Sequence, residues 1–484
     1  MLELSFAQKQ AVGLQYVLDL LAPCTPFGAA LIKKLHPCAP RERAKLELEL
    51  DDLARVTEVW QEQQKSIAAV QHAMMHMKDV TRSVKKCASH SLGEVELFEL
   101  KNFLIHLARL TPPLSELAEA AQLTGYSVDD CEEALDLLDP EGARVATFHI
   151  SELYSDRLRE IRREKKLVDE EMRRTGGVQG DALAIRRANV IAEEEREETA
   201  VRNRLSAELR PFLDTLLHNI EVIARLDLLL QKAALAVRHG AVRPRLTDGE
   251  VAFRNVVNPQ VQALLVSQGK HFTPVSIRLE RGATVLTGAN MGGKSVALKT
   301  VTLNIVLVQM GFFAFAEEAA VPLFDSIGMV SEDLQSVEQG LSTFGAEVVR
   351  LKELLRAVRQ GFAFLALDEF ARGTNPEEGA IIVRAVVEYL NTQNCVAFLT
   401  THYDDVAELA RAHYQVAGLK GLDPERLRAE MAAAGGDDFA PIARHMDYSL
   451  HPVGPDEGCP REALNICRLL ALDEEIIELI EKSY

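Results

Sequence analysis

Residues 284 to 300 read Thr-Val-Leu-Thr-Gly-Ala-Asn-Met-Gly-Gly-Lys-Ser-Val-Ala-Leu-Lys-Thr, and the reading of this stretch decides the fold. Gly288, Gly293, Lys294 and Ser295 fit the phosphate-loop pattern G-x-x-x-x-G-K-S/T. Gly288, Gly292 and Gly293 open backbone conformations closed to residues with a Cβ, so successive N–H groups can converge on phosphate oxygens. Lys294 supplies a compact positive charge for the β- and γ-phosphates, and the Ser295 hydroxyl is a ligand for Mg²⁺. The apolar run Ala283-Thr284-Val285-Leu286 before the loop reads as a buried strand. The Leu/Val/Ala-rich run Val296 to Met310 reads as the helix whose positive end faces the anion. Gly288, Ala289, Asn290, Met291, Gly292, Gly293, Lys294, Ser295 and Val296 thus span the expected phosphate-binding segment.

At 484 residues the chain is long enough for two to four domains. Seven cysteines are scattered without a C-x-x-C pair, and the first ten residues lack the basic start and apolar core of a signal peptide. No apolar run approaches membrane-spanning length, so a reduced, cytoplasmic protein without a membrane partner is expected. The net charge of −18 argues against broad, non-specific coating of DNA, although a local basic patch stays compatible with it.

Residues 1–150 read as a helical core or lever domain. Helices are expected over Ala7 to Leu21, Glu42 to Met77 and Leu92 to Leu110, with Pro112-Pro113 ending the last. Trp60 reads as a packing residue. His72 and His76, one helical turn apart, read as an ordinary helix face because no third metal ligand is in register nearby. Residues 151–210 carry 14 Lys or Arg and 14 Asp or Glu. Two charged helical runs, Glu152 to Arg174 and Asp181 to Arg210, flank the turn signal Thr175-Gly176-Gly177-Val178-Gln179-Gly180, predicting a helical hairpin whose first arm is roughly 35 Å long. Interleaved charges favour a salt-bridged stalk over a nucleic-acid grip, but Lys165, Lys166, Arg173, Arg174, Arg186 and Arg187 near the tip keep the second option open. A connecting helix is expected over 211–241, an α/β domain over 242–420, and a helical tail over 421–484.

Phe362 to Glu369 is an apolar strand ending in two carboxylates. Asp368 suits the Mg²⁺ shell, and Glu369 suits the orientation and deprotonation of an attacking water. Val396 to Thr401 is another apolar strand, ending in Thr401-His402-Tyr403, which puts His402 in a place to sense a γ-phosphate.

Four runs in order, Thr287 to Ser295, Gln339 to Gly345, Leu367 to Asn375 and Thr400 to Tyr403, resemble the ATPase domain of the MutS family. The resemblance implies an α/β P-loop ATPase domain, ABC-like and of MutS type, preceded by an all-α lever or core domain with a long helical hairpin. It implies ATP and Mg²⁺ as ligands, with Asn290 joining Glu369 and His402 at the catalytic centre and Ser295 and Asp368 at the metal. It further implies a homodimer, or a pairing with a related subunit, in which Ser342, Thr343 and Gly345 reach the partner's γ-phosphate and Thr374 and Asn375 line the interface. The loop Thr25-Pro26-Phe27-Gly28 is similar to the start of that family's helical region.

Departures from the family pattern are also expected. The mismatch-reading domain with its Gly-x-Phe-x-Glu wedge and a nuclease-like domain are absent from this sequence, the DNA-gripping clamp is cut down to the turn at 175–180, and Ala289 stands where Pro is usual. Local wording around 289–300, 369–379 and 413–419 resembles the MutS-related subunit of the lysine 5,6-aminomutase reactivase. That implies a protein client, an adenosylcobalamin-dependent aminomutase; the alternative is a DNA-binding ATPase of mismatch repair or recombination control.

Overall fold

The computed structural model describes residues 4–174, 180–288, 293–331, 343–418, 446–454 and 473–483. The chain forms two compact units, each assembled from separated stretches. A helical unit takes Ala22–Leu35 and Asp52–Ala234, and an α/β unit takes Met1–Leu21, His36–Asp51 and Leu235–Tyr484. The division therefore runs differently from the sequence boundary at residue 150, because two early segments group with the α/β unit. Among the described residues no helix is long and apolar enough to cross a membrane.

Helix ends in the first half follow local chemistry. The run expected from Ala7 to Leu21 is two helices, Phe6–Ala11 and Leu14–Asp19, parted at Gly13 with φ 91°. Ser5 caps the first, accepting from the Gln8 N–H while the Gln8 side chain returns to the Ser5 N–H. The run from Glu42 to Met77 likewise divides into Arg43–Val59 and Gln64–Met74, with half-buried Trp60 in the break.

Pro112-Pro113 does not end its helix, which corrects the sequence reading: one helix runs from Glu94 to Ala120. Two prolines remove two backbone donors. The buried stripe Leu107, Leu110, Leu114 and Leu117 nevertheless continues across them, so apolar packing outweighs the lost bonds. In the same unit Asp227, fully buried, accepts from the Thr25 N–H and Oγ1 and from the Cys24 N–H. A Cβ on Gly28 would lie 2.3 Å from the Asp227 carboxylate, so only glycine lets the 25–28 loop dock there. His76 lies between His72 and His106, at ring separations of 4.9 and 5.3 Å. Among the described residues no group of three or more His, Cys, Asp or Glu is arranged to hold a metal ion.

The charged segment folds as helices Asp156–Arg174 and Gly180–Leu209, and residues 175–179 lie outside the described residues. The helices run antiparallel: Arg157 pairs with Glu193, Arg162 with Glu194 and Glu198, and Arg187 with Asp169. The first arm has 19 residues, shorter than expected because Glu152–Tyr154 is a 3₁₀ turn.

The α/β unit holds ten strands among the described residues: β1 Arg245–Thr247, β2 Val251–Val256, β3 Val275–Leu279, β4 Gly282–Thr287, β5 Glu318–Pro322, β6 Ser326–Val330, β7 Ala363–Asp368, β8 Cys395–Thr400, β9 Ala412–Gly418 and β10 Asp447–Pro452. They make a four-stranded sheet, β1-β5-β2-β3, and a six-stranded sheet, β10-β9-β4-β8-β7-β6. The larger sheet is parallel except for β10 on β9. β4 and β8 are buried along their whole length, as a sheet covered on both faces requires. β10 corrects the expectation of a purely helical tail. In that tail the helix Glu474–Ser483 is present, and residues 419–445 and 455–472 lie outside the described residues.

Candidate nucleotide site

Three neighbouring parallel strands, β4, β8 and β7, end side by side at Thr287, Thr400 and Asp368. Ligands of open α/β sheets bind beyond the carboxyl ends of the strands. Hydrophobic burial of Val285, Leu365, Leu367, Ala397 and Leu399 fixes the strands beneath, so the polar residues after them have little freedom.

At the β4 end the backbone turns through Gly288 at φ 128° and Gly293 at φ 78°, both in the region that favours glycine. Space is tight at both as well. A Cβ would approach Val416 Cβ at 3.1 Å from Gly288, and the Tyr448 ring at 3.1 Å from Gly293. The helix Lys294–Gln309 starts immediately after, its interior almost wholly buried. Ala289, Asn290, Met291 and Gly292, including the expected catalytic Asn290, lie outside the described residues.

Lys294 is buried and donates from Nζ to the Gly288 carbonyl at 2.7 Å, which closes the loop on itself. The same ammonium stands 3.7 Å from Glu369 Oε1, while Arg372 holds the other Glu369 oxygen at 2.7 Å. Ser295 Oγ donates to Asp368 Oδ1 at 2.7 Å. Thr400 Oγ1 donates to that same oxygen at 2.8 Å and accepts from the Glu369 N–H at 2.9 Å. One hydroxyl therefore ties both carboxylate residues to β8. Val296, the last of the expected loop, follows Ser295 in the first turn of this helix and is half-buried.

The remaining expected residues are more scattered. His402 is exposed, its ring 4.1 Å from that of Tyr403. Asn375 caps the helix Pro376–Asn391 by accepting from the Glu377 N–H at 2.9 Å, and Thr374 just before it is half-buried. Ser342 lies outside the described residues; Thr343 begins the helix Thr343–Val358, with half-buried Gly345 in its first turn. Sequence reasoning left Thr400 and Arg372 without a role, and missed Thr287, whose Oγ1 lies 2.7 Å from His413 Nε2. The sequence signals for Thr400 are a hydroxyl at the end of an apolar strand and its place at the head of the Thr400 to Tyr403 run.

The donor set suits the ligands the sequence implies. Ser295 and Asp368 bring two hard oxygen atoms together, as Mg²⁺ prefers, and Lys294 beside the Gly288–Gly293 turn offers charge to a phosphate chain.

Residues 284–426 match the family model for MutS domain V. The chain is 32% identical over 262 residues to the "Endonuclease MutS2" of Carboxydothermus hydrogenoformans, covering 53% of this chain and 30% of that protein. It is 33% identical over 294 residues to the "Endonuclease MutS2" of Streptococcus gordonii, covering 60% and 34%. With the "DNA mismatch repair protein MutS" of Pseudothermotoga lettingae it shares 32% identity over 225 residues, covering 45% and 27%. The chain thus spans about a third of the length of these relatives. The matched domain and the names of these proteins support membership of the MutS family.

Proposed function

We propose that this chain binds ATP with Mg²⁺ and hydrolyses it, and that two copies, or one copy and a related subunit, close over shared nucleotide as a conformational switch. The observation that carries the reading is the meeting of Lys294, Ser295, Asp368 and Glu369 at the ends of three adjacent strands. Lys294 gives up its Gly288 and Glu369 partners for the phosphates. Ser295 and Asp368 hold Mg²⁺, which when bound neutralises charge developing on the phosphate oxygens. Glu369, released from Lys294, takes a proton from the attacking water and keeps that water in line. Asn290 and His402 complete the site as the resemblance implies, with Ser342, Thr343 and Gly345 acting across the pairing and Thr374 and Asn375 along it.

Two readings of the client have support. The names of the relatives favour DNA, which several of those names connect with mismatch repair or nuclease action. The hairpin favours a protein client, because four of its six basic tip residues are engaged by carboxylates: Lys165 with Glu194, Lys166 with Glu152, Arg186 with Glu164 and Arg187 with Asp169. The aminomutase client rests on the sequence resemblance alone. A gel-shift series with branched, mismatched and plain duplexes decides between them, since a DNA client binds tightly and loses affinity steeply with salt.

The hydrolytic reading is tested by Glu369→Gln. The variant binds ATP as the parent does and turns over about 10² to 10⁴-fold more slowly. Equal turnover in single-turnover measurements removes Glu369 from the role of base.

A further inference from the structure

The turn after β7 is held in a costly conformation. Glu369 has φ 46° and Ala371 φ 65°, and neither is a glycine. Side chains rarely adopt such backbone, so neighbouring groups must hold it. Ala371 is gripped on both sides. Its N–H donates to Glu347 Oε2 at 2.9 Å, and its carbonyl accepts from Tyr403 Oη at 3.1 Å. Glu347 and Tyr403 are only 4% and 8% exposed, so water does not compete for these bonds. Burial, aided by the Glu347 charge, raises the Tyr403 pKa and keeps the phenol a donor.

The grips come from separate elements. Glu347 belongs to the second turn of the helix Thr343–Val358, and Tyr403 to the turn after β8. A third element, the helix Pro376–Asn391, makes room: a Cβ on Gly379 would fall 2.2 Å from Tyr403 Oη and 3.0 Å from the Ala371 carbonyl. Three elements therefore converge on the backbone of one alanine, two residues beyond the candidate base.

We propose that Glu347 and Tyr403 are positioning residues that, by clamping Ala371, set the direction in which Glu369 presents its carboxylate. The proposal rests on the reading of Glu369 as the general base. A base acts only within hydrogen-bond reach of the water it activates, and small displacements of a catalytic group cost large factors in rate. Glu347 also lies two residues after Gly345, so the clamp links the base to the start of the helix that carries Thr343 and Gly345, two of the expected partner-contacting residues.

The test is steady-state ATP hydrolysis and nucleotide binding by the full chain, with thermal melts in parallel. Tyr403→Phe, which removes one oxygen, lowers kcat about ten-fold while KM stays within about two-fold, because the Lys294 loop is untouched. Gly379→Ala, which pushes the phenol away, does the same. Glu347→Ala loses about as much, whereas Glu347→Gln keeps an acceptor for the Ala371 N–H and recovers most of kcat. Should Glu347→Ala fail to fold, Tyr403→Phe decides alone. A parent that turns over ATP while Tyr403→Phe matches it, or while the variant changes KM and kcat alike, overturns the clamp and leaves the role of Glu369 standing. A parent that neither binds nor hydrolyses ATP overturns both.

Discussion

Charge is concentrated in two regions of this molecule, and they use it in opposite ways. In the hairpin of Asp156–Arg174 and Gly180–Leu209, Arg and Lys meet Glu and Asp on neighbouring turns, mostly half in water: Arg186 and Glu164 are 52% and 47% exposed. Most pairs there are replaceable and weak, as surface pairs are, with the cluster of Glu194, Arg162 and Lys165 the more sheltered exception. At the strand ends, Lys294 and Glu369 are 3% and 16% exposed and stand 3.7 Å apart, beyond an ordinary hydrogen bond. Each also has a second partner, Gly288 for the lysine and Arg372 for the glutamate. Buried charge is expensive to keep unless it is paired. On the proposed reading a phosphate takes the place of Glu369 beside Lys294 and keeps that ammonium paired with an anion, whereas the hairpin's charges pair with one another. On that reading the same residue types thus make a scaffold in one place and a receptor in the other.

The largest expected effect breaks the receptor side. Lys294→Ala lowers ATP affinity about 10²-fold in calorimetric titration, since a buried phosphate loses its charged donor. Undiminished affinity would erase the contrast between the two regions. Next in size is Thr400→Val, which keeps the shape of the side chain but leaves the Glu369 N–H without its acceptor and Asp368 short of a donor. Turnover falls about ten-fold with little change in the melting of the α/β unit. A stability loss with intact turnover instead places Thr400 among scaffold residues.

How far these regions are legible in the sequence differs for a physical reason. The phosphate loop, the strand ending in Asp368-Glu369 and the charged hairpin are local patterns, readable because a backbone conformation or a period demands particular residues in a row. The bonds that turn them into a site are not local. Ser295 reaches Asp368 across 73 residues, and Thr400 reaches Asp368 across 32. Threonine at a strand end has many uses, and sequence alone does not say which carboxylate faces it. Long-range packing also explains the misreadings. Pro112 and Pro113 signal a helix end locally, but the leucine stripe on both sides decides otherwise. β10 sits in a segment read as helical because its pairing with β9 draws on residues 414 to 418, well away in the chain.

The smallest effect sharpens the scaffold side. Glu194 accepts from both Arg162 and Lys165 across the hairpin, so Glu194→Gln weakens two pairs at once. These groups keep some contact with water, so the loss is about 1 kcal/mol, read as faster amide exchange in both arms. Its pH dependence follows from the carboxyl. Burial pushes the Glu194 pKa up, but Lys165 and Arg162 outweigh it and hold the group below its ordinary value of 4.5. The unfolded arm therefore takes up this proton first as pH falls, and the contribution present at neutral pH fades below about 4.5. Exchange in parent and variant should differ at pH 7 and converge in acid. A difference that persists in acid assigns the Glu194 effect to packing rather than charge, and the hairpin would then cease to be a scaffold held by ion pairs.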